Sequence, residues 1–239
     1  MTRASAISPA THAGRIRQFF WQCPEWWTFV LCGLGWQAML LHGWQHAAHC
    51  VHHAMAFREE LQNWMLMVCA MMLPLVRPAV RTTAFASLWV RRHRAMAGFL
   101  LGYFTPWLVL GIAVALLRRQ PWTNNYASPA IACFAAALWQ LAPVRARALT
   151  ACHRSLPLAP SGWRADRDCL RGGCGIGLAC VCACWPLMAA CALTGHALPA
   201  MIGGMALGLA ERLAFRPRTA IVVAGTLALG GYYTLLMFA

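Results

Sequence analysis

The sequence predicts an all-α protein, a polytopic transmembrane bundle of about seven helices with a cytoplasmic N-terminus and a periplasmic C-terminus. Hydrophobic residues make up 60% of the 239 residues and charged residues only 11%, whereas soluble domains carry about 25% charged residues. Apolar segments of membrane-spanning or nearly membrane-spanning length recur along the chain. All 20 basic residues are arginines, and they lie between those segments rather than in one patch.

The predicted elements follow one another without an internal repeat. Residues 1–25 form a polar cytoplasmic tail that ends in an aromatic anchor at the membrane interface, and residues 26–239 form a single transmembrane domain. The second, fourth and sixth of its apolar segments are short, so they are expected to be tilted partners or buried elements. A His-rich outer segment, 42–57, follows the first segment, and an inner loop, 143–174, precedes the fifth. The seven segments are Trp26–Leu41, Leu61–Val76, Met96–Leu117, Pro129–Ala142, Gly175–Thr194, Leu198–Phe215 and Thr219–Phe238.

The arginines set the predicted orientation, because short cytoplasmic loops carry an excess of Lys and Arg. With the N-terminus inside, the outer regions hold Arg58, Arg118 and Arg119, and the inner regions hold the other 17 of the 20. The sequence therefore indicates a multi-pass protein of a bacterial inner membrane, surrounded by the lipid bilayer. A net charge of +14 could also suggest nucleic acid, but the dispersed arginines argue against a nucleic-acid partner.

Glycines and prolines give further expectations about the apolar segments. Small residues four positions apart allow helix backbones to approach closely, and three such glycine pairs occur, at 98 and 102, at 173 and 177, and at 204 and 208. Three prolines lie inside apolar segments and are expected to end or kink their helices. They are Pro74, Pro106 and Pro186.

Histidines dominate the outer end of the first predicted helix. Four of them are spaced four, three and four residues apart, which places them on one ridge of a helix; they are His42, His46, His49 and His53. Neutral imidazole is the commonest metal ligand in proteins, so the ridge is a candidate metal site. Copper(II), zinc and nickel all suit imidazole. The alternative is a partly solvated polar helix end without a metal.

Sulfur is concentrated in the second segment. Met65, Cys69 and Met72 share one helix face, and Met71 lies with Met67 on a neighbouring face. Thioethers and thiols select soft ions such as Cu(I), so the first four are candidate copper ligands. The alternative is core filling, because Met packs well into irregular gaps.

The fifth segment carries a stripe of sulfur on one predicted helix face. Cys180, Cys184, Met188 and Cys191 are spaced four, four and three residues apart. We take the first three as candidate copper ligands, with Cys152 as a further candidate on the inner side. A plain packing seam is the alternative. If the second, fifth and sixth segments pack together, the bundle acquires a sulfur-lined interior.

The sequence carries no recognisable signature of an enzyme. It lacks a phosphate loop, a dinucleotide fingerprint, a G-x-S-x-G elbow and an H-E-x-x-H motif. Only six acidic residues are present, and none lies deep in a predicted span. Glu211, at the inner end of the sixth segment, is expected to form an ion pair with a basic loop residue. An enzyme is therefore not predicted.

Several landmarks in chain order resemble a family of bacterial integral membrane proteins described as predicted metal-binding proteins, some of them labelled copper chaperones. The resemblance covers about residues 60–215 and implies metal handling in a membrane. Cys182 and Ala183 depart from the family pattern, which has Gly and Cys at those positions. The matching landmarks are Trp64-Met65, Ala70-Met71-Met72-Leu73-Pro74, Gly102-Tyr103, Trp139-Gln140-Leu141-x-Pro143-x-Arg145, Cys152-His153-Arg154, Cys180-x-x-x-Cys184-Trp185 and Glu211-Arg212.

Two functional hypotheses follow from the sequence. In the first, the chain is a membrane copper chaperone or conduit. The His ridge captures the ion, with zinc as the alternative ion there, the Cys and Met side chains hold reduced copper, and a copper enzyme is the client. In the second, the chain is an accessory or assembly subunit of a larger respiratory or photosynthetic membrane complex, and its Cys and Met residues only pack. The first hypothesis requires Cys180, Cys184 and Met72 to converge.

Overall fold

The computed structural model describes residues 21–48, 56–120, 127–152, 158–159, 161–213 and 219–238. Within these ranges all regular secondary structure is helical and no strand occurs, which confirms the predicted all-α class. A short 3-10 helix, Trp89–Arg91, lies between the second and third α-helices. The α-helices are α1 (Trp26–Ala48), α2 (Phe57–Ala86), α3 (Arg92–Arg118), α4 (Ala127–Trp139), α5 (Pro143–Ala151), α6 (Gly162–Leu193), α7 (Leu198–Leu213) and α8 (Thr219–Phe238).

Three helices of the described part are long and apolar enough to cross a membrane: α2, α6, and α3 together with the 3-10 turn before it. Helices α4 and α5 are separated by a bend of 76° and form a fourth candidate if they are one broken span. Helices α7 and α8 are shorter but apolar. The fold is therefore compatible with membrane insertion, while seven spans and the orientation stay predictions.

The region predicted as an inner loop, 143–174, is largely helical in its described residues. Pro143 occupies the first turn of α5, where its missing N–H has no intrahelical role. Helix α6 begins at Gly162 and continues without a break into the predicted fifth segment. Its charged first turns remain helical because Arg, Ala and Leu favour helix. Asp166 also anchors them to the start of α3, since it accepts a hydrogen bond of 2.8 Å from Arg94.

Of the two expected effects of the prolines, ending their helices does not occur; α2, α3 and α6 continue through them. A proline leaves the carbonyl four residues earlier without its N–H partner, and here neighbouring helices supply donors instead. The Ala70 carbonyl, freed by Pro74, accepts a hydrogen bond of 3.1 Å from Trp36 Nε1 on α1. The Cys182 carbonyl, freed by Pro186, accepts one of 3.0 Å from Trp139 Nε1 on α4.

We expect Trp36→Phe to destabilise the protein by about 0.5 to 1.5 kcal/mol, because it removes an indole donor from a proline-freed carbonyl and keeps the aromatic ring. Trp27→Phe is the matched control on the same helix, since Trp27 Nε1 is buried with no hydrogen-bond partner among the described residues. Thermal unfolding of the detergent-solubilised protein measures both changes. Equal destabilisation by the two variants would show that this hydrogen bond does not support α2.

Glycines bring α3 and α6 into backbone contact. A Cβ added at Gly102 would overlap the carbonyl of Leu170, and one added at Gly173 would overlap the carbonyl of Phe99. A Cβ at Gly177 would lie 2.6 Å from the Tyr103 carbonyl oxygen. The close approach predicted from the spacing is confirmed at these three glycines. This contact fixes the register that places α3 beside the sulfur-bearing part of α6.

The remaining helices pack around the α3–α6 pair. Helix α2 lies against α1 and α3, helices α4 and α5 lie against α6, and α8 packs on α4 and α7. Helix α7 also contacts both α2 and α6. A sulfur-lined interior requires packing of the second and fifth segments on the sixth, and these contacts meet that condition. Sulfur-bearing residues of α2, α6 and α7 lie fully inside the apolar core: Met67, Met71, Met72, Cys180, Met188, Cys191 and Met201.

Candidate metal centre

Helix α2 divides its sulfur side chains between two neighbours. Met71 and Met72 are buried in the core, facing α6 and α7. Met65 and Cys69 are only partly buried. Cys69 has an electrostatic neighbour on α1, since Cys32 lies close enough to interact with its thiol electrostatically. Of the four candidate ligands on α2, two therefore point toward the centre of the bundle.

Helix α6 turns its sulfur stripe inward, as the helical spacing predicted. Cys180, Met188 and Cys191 are buried and Cys184 is partly buried. Cys182, two residues along, is exposed. The stripe is therefore a real face of the helix, and the thiol at position 182 lies outside it.

The sulfur atoms of α2 and α6 meet at Cys180. Its Sγ lies 4.0 Å from Met72 Sδ, and its thiol is oriented to donate to that sulfur. Cys184 forms a side-chain hydrogen bond with Cys180. Two sulfurs that bind one ion at a metal–sulfur distance of about 2.3 Å lie about 4 Å apart. The spacing of Cys180 and Met72 therefore fits shared coordination of a single ion.

Tyr103 completes this part of the core from α3. Its side chain is fully buried, and its hydroxyl donates a hydrogen bond of 3.3 Å to Cys180 Sγ. The glycine contacts between α3 and α6 determine this placement, because Gly177 packs directly on the backbone of Tyr103. Reasoning from sequence did not assign Tyr103 to the site. Its position immediately after Gly102, at a predicted close helix contact, is the signal that would have assigned it.

Helix α5 brings two more groups to the same place. Cys152, buried at the C-terminal end of α5, is an electrostatic neighbour of Cys184, and so is Arg145. The bend between α4 and α5 makes this possible, since it turns the chain toward α6 just after Trp139 is fastened to the Cys182 carbonyl. We call Met72, Cys152, Cys180 and Cys184 the sulfur site.

Arg145 forms an ion pair with Glu211 of α7. The exposed fraction of the two side chains is only 4% and 7%, so the pair is buried. The predicted pairing of Glu211 with a basic residue of the inner region is confirmed, and the partner is Arg145. Sequence reasoning missed the role of Arg145 beside the thiols, because its neighbours come from helices far apart in the chain.

A second group of sulfurs lies where α2, α6 and α7 meet. A Cβ added at Gly204 of α7 would lie 3.1 Å from Met71 Cε and 3.6 Å from Cys191 Sγ. Met188 is buried in the same core. Cys191 was part of the sulfur stripe but was not predicted as a ligand. Its Sγ and the end of the Met71 side chain lie against the same glycine of α7, a proximity that spacing within one helix does not reveal.

The predicted His ridge is described only at its start. His42 Nε2 lies 3.0 Å from Asn63 Nδ2 and lines a cavity of about 260 Å³ that also touches Glu59. The side chain of His46 and all of His49 and His53 fall outside the described residues.

Another histidine, His196, lies in the tight turn between α6 and α7 at a φ of 61°. Burial, together with the charge of Arg118, lowers the pKa of His196 to about 4. Its imidazole is therefore neutral at physiological pH, and neutral imidazole is the form that can bind a metal. Its Nε2 is buried with no hydrogen-bond partner in the part of the chain that the structure describes.

Among the described residues, no three His, Cys, Asp and Glu side chains are close enough to hold one ion together. The sulfur site therefore offers close pairs, Cys180 with the Met72 thioether and Cys180 with Cys184. Structural zinc takes four ligands, so the arrangement suits a soft ion of low coordination number better. All twelve predicted ligand residues stay predictions.

Comparison with known proteins gives one match, and that match is to a protein-family model. Neither the curated proteins nor the solved structures contain a match. The model of the PpoB2 family, described as copper chaperone, matches residues 61–234. That range contains the sulfur site, Tyr103 and the Arg145–Glu211 ion pair, and it covers well over half of the chain. The chain therefore belongs to the PpoB2 copper chaperone family.

Proposed function

We propose that the chain is a multi-pass inner-membrane protein that binds Cu(I) at the sulfur site and passes it on without catalysing a reaction. The observation that carries this proposal is the approach of Cys180 Sγ to Met72 Sδ, with Cys184 hydrogen-bonded beside them. Thiols and thioethers are the ligands that select Cu(I). The family description supports copper as the cargo.

Exchangeable binding is the property that a chaperone needs, and the ligand set supports it. A thioether is a neutral, weak acceptor, so Met72 adds selectivity for a soft ion without adding charge. The hydrogen bond from Tyr103 to Cys180 holds that sulfur in place. A copper ion bound by few side chains keeps open coordination positions, so a donor atom of the client protein can bind it.

We propose that the outer end of the bundle captures the ion before it reaches the sulfur site. The support is that His42 lines a cavity between α1 and α2 and that His196 is a buried neutral imidazole whose Nε2 has no hydrogen-bond partner among the described residues. His46, His49 and His53 would extend the ridge, which could also take zinc. The ion would then pass inward to the sulfur site by way of the second sulfur group, which consists of Met71, Met188 and Cys191. A membrane copper enzyme would be the client.

Loading of the full-length protein tests the proposed function. We expect the detergent-solubilised protein to retain about one Cu(I) per chain after anaerobic loading and desalting, measured by mass spectrometry. Copper X-ray absorption should show sulfur as the dominant ligand, because the proposed donors are two or three thiol or thioether atoms. Loss of all copper on desalting, or a spectrum with only nitrogen and oxygen ligands, would overturn the proposal.

A further inference from the structure

Two buried polar atoms of the Arg145–Glu211 pair make no hydrogen bond to any described residue. Arg145 Nε and Glu211 Oε1 each lack a hydrogen-bond partner among the described residues, although one guanidinium NH2 contacts Glu211 Oε2. A buried charged donor without a partner is costly, and such exceptions in native structures require an explanation. The orphaned Nε–H lies on a guanidinium that is an electrostatic neighbour of Cys184.

Copper binding creates a charge that this donor can satisfy. A thiol must lose its proton to bind a metal, so Cu(I) with two thiolates forms a complex of charge −1. An uncompensated charge inside an apolar core is strongly unfavourable. Among the described residues of α2, α3, α5, α6 and α7, Arg145 is the only cation that is an electrostatic neighbour of Cys184. Arginine keeps its charge under all ordinary conditions.

We propose that Arg145 is the charge-balancing partner of the copper-loaded thiolates, an inference that rests on the proposed function. In the loaded state its free Nε–H donates to the thiolate of Cys184, while the NH2 group stays on Glu211. Glu211 is the positioning residue, because it holds the guanidinium at the level of the thiols. It also offsets part of the guanidinium charge, so it limits how tightly the ion is held.

Competition with a chromophoric Cu(I) chelator tests the proposal on the full-length protein. The variant Arg145→Gln/Glu211→Gln removes both charges and leaves no unpaired ion, and we expect it to bind Cu(I) about ten- to a hundredfold more weakly. Arg145→Lys keeps the charge and should recover part of that loss. Glu211→Gln alone should tighten binding, because the amide oxygen can still accept a hydrogen bond from the guanidinium but no longer offsets its charge.

A double-mutant cycle separates this role from a structural one. In a Cys184→Ser background the thiolate next to Arg145 is absent, so the change Arg145→Gln/Glu211→Gln should then have little further effect. An equal loss in both backgrounds, or unchanged Cu(I) affinity in the wild-type background, would overturn the proposal. Failure of the proposed function is distinct, since Cu(I) binding would then be insensitive to Cys184→Ser itself.

Discussion

Replacing Cys180 and Cys184 together by serine should abolish Cu(I) binding, with an affinity loss of at least about a hundredfold. Loss of a supporting group around a metal typically costs about 10- to 100-fold, and this change removes two proposed ligands. A serine hydroxyl is a hard oxygen donor that Cu(I) does not favour. Met72 and Cys152 would remain, and they are too few to retain the ion in competition with a chelator.

The double variant should still fold. Serine is close to cysteine in size, and its oxygen can accept the hydrogen bond that Tyr103 donates at position 180. Without copper, the free energy of unfolding should therefore fall by about 1–3 kcal/mol for each serine hydroxyl that is buried without a hydrogen bond, which thermal unfolding measures. Chelator competition measures the copper affinity on the same preparations.

Two other cysteines provide controls. Cys182 lies on the same helix but is exposed, and Cys133 is buried in α4. Cys182→Ser and Cys133→Ser should each leave Cu(I) affinity within about twofold of the wild type, because neither thiol contributes to the sulfur site. Copper binding that survives Cys180→Ser/Cys184→Ser and disappears in either control would show that the ion binds elsewhere.

Helical periodicity was sufficient to predict the inward face of α6. The spacing of Cys180, Cys184 and Met188 places them on one face in any helix, and an apolar chain must direct one of its faces into the bundle. The glycine spacing likewise predicted the α3–α6 contact, because a missing Cβ matters only where two backbones approach. These features depend on residues within a few turns of one another.

The polar part of the site could not be predicted in the same way. Arg145 reaches Cys184 because the chain bends by 76° after Trp139, and it reaches Glu211 across 66 positions of sequence. Such a juxtaposition depends on the packing of whole helices, which no local pattern encodes. The start of α6 was also missed, because charged residues were taken as a sign of a loop although a helix can continue beyond the membrane.

A single methyl group at Gly102 or Gly173 should be enough to disrupt the bundle. In Gly102→Ala the added Cβ would overlap the Leu170 carbonyl, and in Gly173→Ala it would overlap the Phe99 carbonyl. Both obstacles are backbone atoms inside helices, so neither can move without displacing a helix. We expect each variant to lower the free energy of unfolding by about 3 kcal/mol or more and to accumulate poorly in the membrane.

Gly175→Ala is the matched control on α6, since nothing lies within 4 Å of a Cβ built there. It should be neutral or stabilising by up to about 1 kcal/mol, because alanine favours a helix more than glycine does. Thermal unfolding in detergent compares the three variants. Separation of α3 from α6 would also move Tyr103 away from Cys180, so any folded fraction of Gly102→Ala should bind Cu(I) more weakly. Wild-type stability in both Gly102→Ala and Gly173→Ala would show that the two helices do not pack in this register, and the geometry of the sulfur site would then be wrong as well.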